Sequence, residues 1–406
     1  MKRPRSSVRQ EPSQSSETTV APLRAPRLLT RRRVLVVGAA ALAYTALRPT
    51  LALARRASRE TPGLQPWSLA RAAPGQPVEF ARAVMSAAVL APSHWNTQPW
   101  RLEFDPGTIR LVADPTRALP GLDPDRRSLT IALGGALENM LIALRAYGQR
   151  PAVTYFPRET DRDLVASITW SPDEAPRDRL LFGAIPERRT NRRDYDGRGI
   201  YPQNRNALAA LIPQDLHLRW IEERAALRTF ADLAADAAES QVRDARLQRE
   251  RMRWMRFGDD EARRRGDGVT LDALELGGPG RWLGGRAFDP ESFFIGLGAG
   301  SEARRARDAV RSAGALVLIS SPRNGDAVAL TAGQAWQRFA LRATTLGIAQ
   351  QVMSAPLEVA RHRPDVLRAF GAIGETPLLF ARLGHARPPD ASVRRAVNLV
   401  ATFRNS

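Results

Sequence analysis

The ten residues at positions 91–100, APSHWNTQPW, form a polar turn between two regular elements. Apolar residues at helical spacing precede the turn over 80–90, Pro92 ends that helix, and a strand-like run follows over 101–104. The turn carries four short hydrogen-bonding side chains: Ser93, Asn96, Thr97 and Gln98. Such side chains suit a polar, planar or polyhydroxylated ligand, and the alternative is an ordinary turn after a helix C-terminus.

The residue types that are missing narrow the chemistry further. The chain has no Cys, its single Lys is Lys2, and its four His residues are isolated from one another. A thiol nucleophile, a thiolate metal site, a P-loop lysine and a Schiff-base lysine are therefore excluded, and no metal site or catalytic side chain is predicted. His94 is open to two interpretations, a proton donor or a solvated turn residue. If the protein is an enzyme, a bound cofactor performs the difficult step.

Three segments together resemble the nitroreductase superfamily, most closely its Acg-type FMN-binding branch. The turn at 91–100 resembles the flavin-contacting segment of that family. Residues 187–195, ERRTNRRDY, resemble its arginine-rich phosphate clamp, and residues 392–395, SVRR, resemble the basic element that closes on the same phosphate. The matches are spread in the family's order over most of residues 77–400.

The resemblance implies FMN as cofactor, with NAD(P)H and a small acceptor as further partners. Ser93 and Asn96 would face the ribityl chain or the ring edge. Arginine suits the phosphate because its planar fork offers two donors to an anion, and Arg395 is preferred over the alternative Arg394. Backbone at Gly347 and Ile348 would approach the phosphate end. The complete predicted set is Pro92, Ser93, Asn96, Gln98, Arg188, Arg189, Thr190, Arg192, Gly347, Ile348, Arg394 and Arg395.

Two helix patterns, at 134–148 and 333–347, place small or apolar residues at matching positions, and each begins and ends with Gly. Helices alternate with candidate strands, which predicts an α+β fold with a mixed sheet. The strands are expected at 100–104, 109–113, 153–156, 164–170, 216–221, 315–319 and 378–383. Because nitroreductases are usually homodimers, the resemblance implies two degenerate halves, 77–185 and 186–406, that form a monomeric single-chain pseudodimer.

Residues 240–302 interrupt this pattern. A dense charge run over 251–265 contains Trp254 and Phe257, and five glycines follow between 277 and 285. One interpretation is a solvated helix. The other is a mobile lid over the flavin, with the glycines as hinges.

The N-terminal segment predicts export. Residues 1–30 are polar and basic, which indicates disorder. Over 31–54, the pair Arg31 and Arg32 precedes an apolar run that is short for a membrane span, and Ala-Leu-Ala follows at 52–54. This order is typical of a twin-arginine signal, either cleaved or kept as an anchor, and the alternative is a basic N-terminus before a buried helix. We expect a periplasmic protein, or one anchored to the outer face of the cytoplasmic membrane, and the twin-arginine export machinery as a partner.

Two functions from different classes follow. One is an exported FMN oxidoreductase that passes electrons from NAD(P)H to a nitro- or quinone-type acceptor. The other is a non-catalytic protein that binds or sequesters FMN under a lid. A formal net charge of +19 would also fit a nucleic-acid binder. The arginines are interleaved with Asp and Glu rather than gathered with aromatic residues, so no nucleic-acid partner is predicted.

Overall fold

The computed structural model places every element described below in one unit, Thr61–Ser406. The structure describes residues 67–69, 75–175, 179–274, 289 and 295–404. The predicted disordered segment 1–30, the predicted signal 31–54 and the predicted glycine hinges between 277 and 285 lie outside the described residues.

The two large sheets each contain four strands that follow one another in the same order. The first runs β1-β2-β4-β3 and the second β5-β8-β10-β9, and every neighbouring pair in both orders is antiparallel. The seven predicted strands are confirmed, and β9 was missed. The eight strands are β1 Trp100–Asp105, β2 Thr108–Ala113, β3 Gln149–Tyr155, β4 Leu164–Pro172, β5 His217–Ile221, β8 Ala315–Ser321, β9 Ala349–Val352 and β10 Thr376–Gly384.

A strand from the end of the chain completes the first sheet. β11, Ala401–Phe403, pairs in parallel with β1, and Leu102 lies opposite Ala401. The first sheet is therefore mixed, as the predicted fold class requires, while the second is antiparallel. Two short strands, β6 Met255–Arg256 and β7 Val269–Thr270, form a separate parallel pair.

Helices cover the sheets. Three of the described helices are 20 residues long, and two of these, Arg127–Ala146 and Asp326–Thr345, lie in the core. The described helices are α1 Pro77–Ala88, α2 Arg127–Ala146, α3 Leu180–Ala184, α4 Pro202–Ala209, α5 Arg224–Arg243, α6 Ala245–Arg253, α7 Asp259–Arg265, α8 Ile295–Arg311, α9 Asp326–Thr345, α10 Ala355–Glu358 and α11 Arg363–Ala369. By length and composition α2 could cross a membrane, but 89% of its apolar window is buried inside the fold, which is typical of a core helix.

The ends of the two core helices follow from local chemistry. The carboxylate of Asp123 accepts hydrogen bonds from the backbone N–H groups of Ser128 (3.0 Å) and Leu129 (2.9 Å) in the first turn of α2. Gly148 and Gly347, with φ of 78° and 68°, follow the C-termini of α2 and α9. Glycine adopts this left-handed conformation without steric cost, so the predicted glycine ends are confirmed.

The core helices cross at two equivalent glycines. A Cβ added to Gly134 of α2 would lie 2.3 Å from the carbonyl oxygen of Leu330, and one added to Gly333 of α9 would lie 2.1 Å from that of Ile131. Leu330 and Ile131 each lie three positions before the glycine of their own helix, so the contact is reciprocal. Leu330 packs into the apolar core of the first sheet, and Ile131 packs against the core of the second.

Polar side chains beside this crossing are paired with one another. The Gln334 side chain of α9 donates to Glu138 of α2 (3.1 Å), and Gln337 donates to Asn139 (2.7 Å). Asn139 in turn donates to the carbonyl oxygen of Ala87 in α1 (2.8 Å). These bonds satisfy groups that burial would otherwise penalise, and they fix the rotation of one helix against the other.

The close approach predicts that Gly333→Ala destabilises the protein. The new methyl group meets backbone that cannot move aside, so we expect the free energy of unfolding to fall by about 1–3 kcal/mol, despite the gain of about 1 kcal/mol that alanine brings to a helix interior. Urea unfolding measures this change.

Gly135→Ala is the matched control. The atoms nearest to its added Cβ lie 3.8 Å away, so the free energy of unfolding should stay the same or rise. If both variants unfolded like the parent chain, the two helices would not cross at these glycines.

Candidate functional site

The turn after α1 has a strained backbone. Trp95, Asn96 and Gln98 have φ of 50°, 53° and 52°, a left-handed region that non-glycine residues rarely adopt. The Ser93 hydroxyl oxygen accepts a hydrogen bond from the backbone N–H of Gln98 (2.8 Å). Residues at such angles persist only where the surroundings hold them, and they concentrate at functional sites.

Side chains of the turn are bonded to a distant part of the chain. Asn96 Nδ2 donates to the carbonyl oxygens of Gly268 (2.9 Å) and Val393 (3.0 Å), and Gln98 Nε2 donates to that of Gly266 (2.8 Å). Asn96 still lines open space, whereas Gln98 is fully buried and lines none of the three large cavities described next. The structure therefore gives the Gln98 amide a role in holding the turn in place, and its predicted contact with the cofactor stays a prediction.

Three adjoining cavities surround the turn. The arginine cavity includes Arg188, Arg189, Asn96 and Arg394 in its lining. The helix cavity lies along α2, α9 and β10. The outer cavity lies between α5, α8 and the 240–302 segment. Arg192 lines all three, so they form one branched cleft.

Eight of the twelve predicted site residues line the arginine cavity. They are Pro92, Ser93, Asn96, Arg188, Arg189, Thr190, Arg192 and Arg394. The polar turn of residues 91–100 thus faces the arginine-rich loop of residues 187–195, although the two are far apart in sequence. Pro92, Ser93, Thr190 and Arg192 also line the helix cavity, so a ligand could extend from one cavity into the other.

The arginine cavity carries buried positive charge. Arg188 is 4% exposed, and its Nε is buried with no hydrogen-bond partner among the described residues. Burial, with a smaller contribution from the charge of Arg189, lowers the pKa of Arg188 to about 9. Burial likewise lowers the pKa of Arg192 to about 10 and that of Arg394 well below its ordinary value. The three lowered pKa values reflect the free-energy cost of holding a cation away from water.

One carboxylate, Asp390, lines this cavity together with the four arginines. Arg394 donates to neutral acceptors, among them Asn96 Oδ1 at 2.7 Å. The guanidinium groups of Arg189 and Arg394 lie 4.3 and 4.9 Å from the ring centre of Trp67. No sequence motif predicted that Trp67 would line this cavity. Positive charge in such excess favours an anionic ligand, and a phosphate offers the acceptors that these donors lack.

Three other predicted residues do not reach the cleft. Arg395 donates to the carbonyl oxygens of Gln98 and Trp100 instead of lining a cavity, so the alternative, Arg394, replaces it. Gly347 ends α9, and Ile348 is packed in the core of the second sheet. Neither lines the three large cavities. Gly347 thus ends the helix and Ile348 fills the core, and their predicted approach to the phosphate stays a prediction.

The helix cavity is mainly apolar and can accept a flat ring. Ile131, Ala132 and Trp336 from the core helices line it, together with Leu378, Leu379 and Phe380 from β10. Gly135 lies near Pro92, whose Cδ would be 3.8 Å from an added Cβ, and both residues line this cavity. An apolar pocket with few polar groups at its edge is typical of cofactor sites.

His94 lies between the helix and outer cavities. Its Nε2 is 3.1 Å from the Ser354 hydroxyl oxygen. Its Nδ1 is 3.2 Å from a carboxylate oxygen of Glu358, but the two groups are not oriented for a hydrogen bond. The side chain is 16% exposed, so the interpretation as a simply solvated residue is wrong. The sequence offered no sign that Glu358 would lie here.

The described part of the 240–302 segment forms a wall. Gly266 and Gly268 accept the hydrogen bonds of the turn, and the buried Asp267 pairs with Arg256 (2.7 Å) and Arg117. A Cβ at Gly266 would lie 2.7 Å from the carbonyl oxygen of Arg394. The segment is thus fixed against the turn, which does not match a mobile lid over the described range.

Two further observations concern this segment. Trp254 and Phe257 line none of the three cavities. The guanidinium carbon of Arg117 lies 5.2 Å from the ring centre of Trp254, and Phe257 is 38% exposed. The charge run is not only a solvated face, because Arg251 and Arg256 are buried. Trp95 of the turn, which packs with Met255 and Val269, lines the helix and outer cavities.

Comparison with known proteins shows the family. No family model matches the chain. A Mycobacterium tuberculosis (strain ATCC 25618 / H37Rv) protein named "Putative NAD(P)H nitroreductase Rv3131" is 34% identical over 337 residues, which cover 80% of this chain and 92% of that protein. The chain therefore belongs to the nitroreductase family. A second protein of the same strain, "Uncharacterized protein Rv3127", is 25% identical over 333 residues, which cover 79% of this chain and 92% of that protein.

Among solved structures, the chain is similar to the FMN-dependent nitroreductase NfnB from Mycobacterium smegmatis in complex with NADPH. The identity is 19% and the TM-score 0.34, over 53% of this chain and 95% of that chain.

The buried charge predicts opposite effects of Arg188→Met on the free and the ligand-bound protein. Without an anion, losing an unpaired buried cation should leave the melting temperature unchanged or raise it. With FMN, losing a charge-assisted bond of about 1.5–3 kcal/mol should weaken the affinity about 10- to 100-fold. Calorimetry of the free protein and an FMN titration measure the two effects.

Arg193→Met serves as the comparison, because Arg193 lies in the same loop but lines none of the three cavities. It should change FMN affinity little. Equal losses of affinity in the two variants would show that the anion binds elsewhere.

Proposed function

We propose that the chain is an FMN-dependent oxidoreductase of the nitroreductase type, which takes electrons from NAD(P)H and passes them to a nitro- or quinone-type acceptor. The observation that carries the proposal is the buried Arg188, whose Nε lacks a hydrogen-bond partner among the described residues. This group lines a cavity that opens into a mainly apolar one. FMN has the matching chemistry, a phosphate at one end and a flat ring at the other. The name of the M. tuberculosis relative, a putative NAD(P)H nitroreductase, supports the same assignment.

The residues present fit the cofactor. Arg188, Arg192 and Arg394 would hold the phosphate, and the hydroxyl groups of Thr190 and Ser93 can donate where the two cavities meet. Apolar groups of α2, α9 and β10 would enclose the ring. Buried cations then gain the counter-charge that the described protein groups do not supply.

When bound, FMN supplies hydride acceptance and donation, so the protein's own task is to position and shield. The strained turn holds Ser93 between the two cavities, and the helix crossing fixes the apolar walls. His94 can hold a proton at Nε2 while Glu358 stands beside Nδ1, and it faces both the helix and the outer cavity. The outer cavity leaves room for a second ligand next to the ring site.

A second function, flavin binding without turnover, is favoured by the fixed wall. Gly268, Val269 and Ala273 cover the arginine cavity, and the buried pairs of Asp267 secure that wall. A cofactor enclosed in this way would exchange slowly. The outer cavity supports turnover instead, because it reaches Arg192, His94 and Trp95 from another side.

Visible absorbance of the purified chain under anaerobic conditions tests the proposal. We expect a flavin spectrum that bleaches when NADPH is added and returns when a nitroaromatic acceptor or oxygen follows. A flavin spectrum that NADPH leaves unchanged would favour sequestration. Purified chain without flavin, and unable to bind added FMN, would contradict both functions.

We also propose export by the twin-arginine route, to the periplasm or to an anchored position on the outer face of the cytoplasmic membrane. The pair Arg31 and Arg32 before an apolar run supports this route, which carries folded proteins with their cofactors. Replacing both arginines by lysine keeps the charge and should retain flavin-loaded precursor in the cytoplasm. Unchanged export of the lysine variant would argue for another route.

We further propose that the chain is the single-chain counterpart of a nitroreductase homodimer. The shared strand order of the two sheets and the reciprocal contact of Gly134 and Gly333 support this arrangement. Addition of β11 to the first sheet supports it too, because one half then contributes a strand to the other. On this proposal the protein is monomeric in solution, which sedimentation measures, and a stable dimer would count against it.

A further inference from the structure

The outer cavity contains positive charge that the FMN site does not use. Arg251 from α6 and Arg305 from α8 line it together with Arg192. Arg188 and Arg394, which hold the proposed phosphate site, do not line it. The two sets of arginines therefore line different cavities, and of these residues Arg192 lines both.

Arg251 is the most enclosed of these cations. It is 5% exposed, and both its Nε and its Nη1 are buried without a hydrogen-bond partner among the described residues. Its Nη2 donates to Glu302 at 3.3 Å, which is a long contact for a charged pair. Its guanidinium carbon lies 4.9 Å from the ring centre of Trp95. Two strong donors of this guanidinium thus lack an acceptor among the described residues, and Arg251 lines a cavity with room for a small molecule.

The negative charge nearby does not balance the positive charge. Glu302 is shared, because its other oxygen accepts from Arg305 Nη1 at 3.1 Å. Glu358 acts on Arg251 from a greater distance and also stands 3.2 Å from His94. Burial lowers the pKa of Arg251, and these two carboxylates only partly oppose the effect. A ligand that brings an anionic group would supply the missing acceptors.

We propose that the outer cavity is a second binding site, which recognises a phosphate or carboxylate group of the molecule that exchanges electrons with the cofactor. The inference rests on the proposed function for the identity of that molecule, but the anion site itself does not depend on turnover. Arg251 provides the free donors, Arg305 and Arg192 add charge, and Trp95 gives a flat surface under the guanidinium. Apolar groups such as Ala234 and Leu274 leave room for the rest of the ligand.

Inorganic pyrophosphate is a probe that needs no turnover. It is added to the FMN-loaded full chain at constant ionic strength, so that FMN already fills the arginine cavity. We expect it to raise the melting temperature of the parent protein, because a ligand bound only to the native state stabilises it. Arg251→Met should abolish this rise while the flavin content, read from the visible absorbance, stays the same.

Arg249→Met is the matched control, because Arg249 lies on the same helix and is exposed. It should keep the full rise in melting temperature. Arg305→Met, at a side chain that is 30% exposed, provides a second test if Arg251→Met fails to fold, and we expect it to reduce the rise. A rise that persists in both Arg251→Met and Arg305→Met overturns the proposal, whether or not the protein reduces nitro compounds.

Steady-state kinetics then identify the source of the anionic group. For Arg251→Met we expect KM to increase about 10-fold or more, with kcat little changed, for the substrate that carries this group. An increase for NADPH and not for NADH indicates the 2′-phosphate, and an increase for both indicates the pyrophosphate. An increase for 4-nitrobenzoate and not for nitrobenzene indicates the carboxylate of an acceptor. Unchanged KM for all four compounds would contradict recognition of the electron-exchanging molecule at Arg251.

Discussion

The contact between Gly134 and Gly333 is the constraint on which the rest of the structure depends. Because neither position has a side chain, α2 and α9 approach until backbone touches backbone, and each helix passes an apolar side chain into the core of the other sheet. The same crossing sets Gly135 against Pro92 and opens the helix cavity along both helices. The distance between the two sheets, the place of the turn and the space for a flat ring all follow from this contact.

Buried arginine is the second feature that organises the site. Burial of a cation is costly, and Arg188, Arg251 and Arg394 each keep at least one buried guanidinium N–H group without an acceptor among the described residues, which favours binding of an anion. The packing of the two sheets and the hydrogen bonds between the turn and the 240–302 segment offset this cost. Separation of the charge into an arginine cavity and an outer cavity allows one cleft to receive two different ligands.

The regular spacing of apolar residues in the sequence predicted the longer strands and helices of this fold. Strands of five or more residues and the two glycine-bounded helices are visible in the sequence, whereas β11 has three residues and exists only because β1 offers an edge. At the site, residue type identified the segments but not the direction of each side chain. Arg394 and Arg395 are adjacent and chemically alike, and only the folded backbone decides which one faces the cavity. Likewise, charge density predicted solvent around Arg251, because its burial depends on packing against Trp95 from a distant turn.

We propose that the polar turn of residues 91–100 and the arginine-rich loop of residues 187–195 together form one cofactor site per chain. Flavin released by denaturation, identified as FMN and quantified against protein, tests this proposal. We expect one FMN per chain for the fully loaded protein. A ratio near two would mean that both halves carry a complete site, and no binding of added FMN would mean that the cleft serves another ligand.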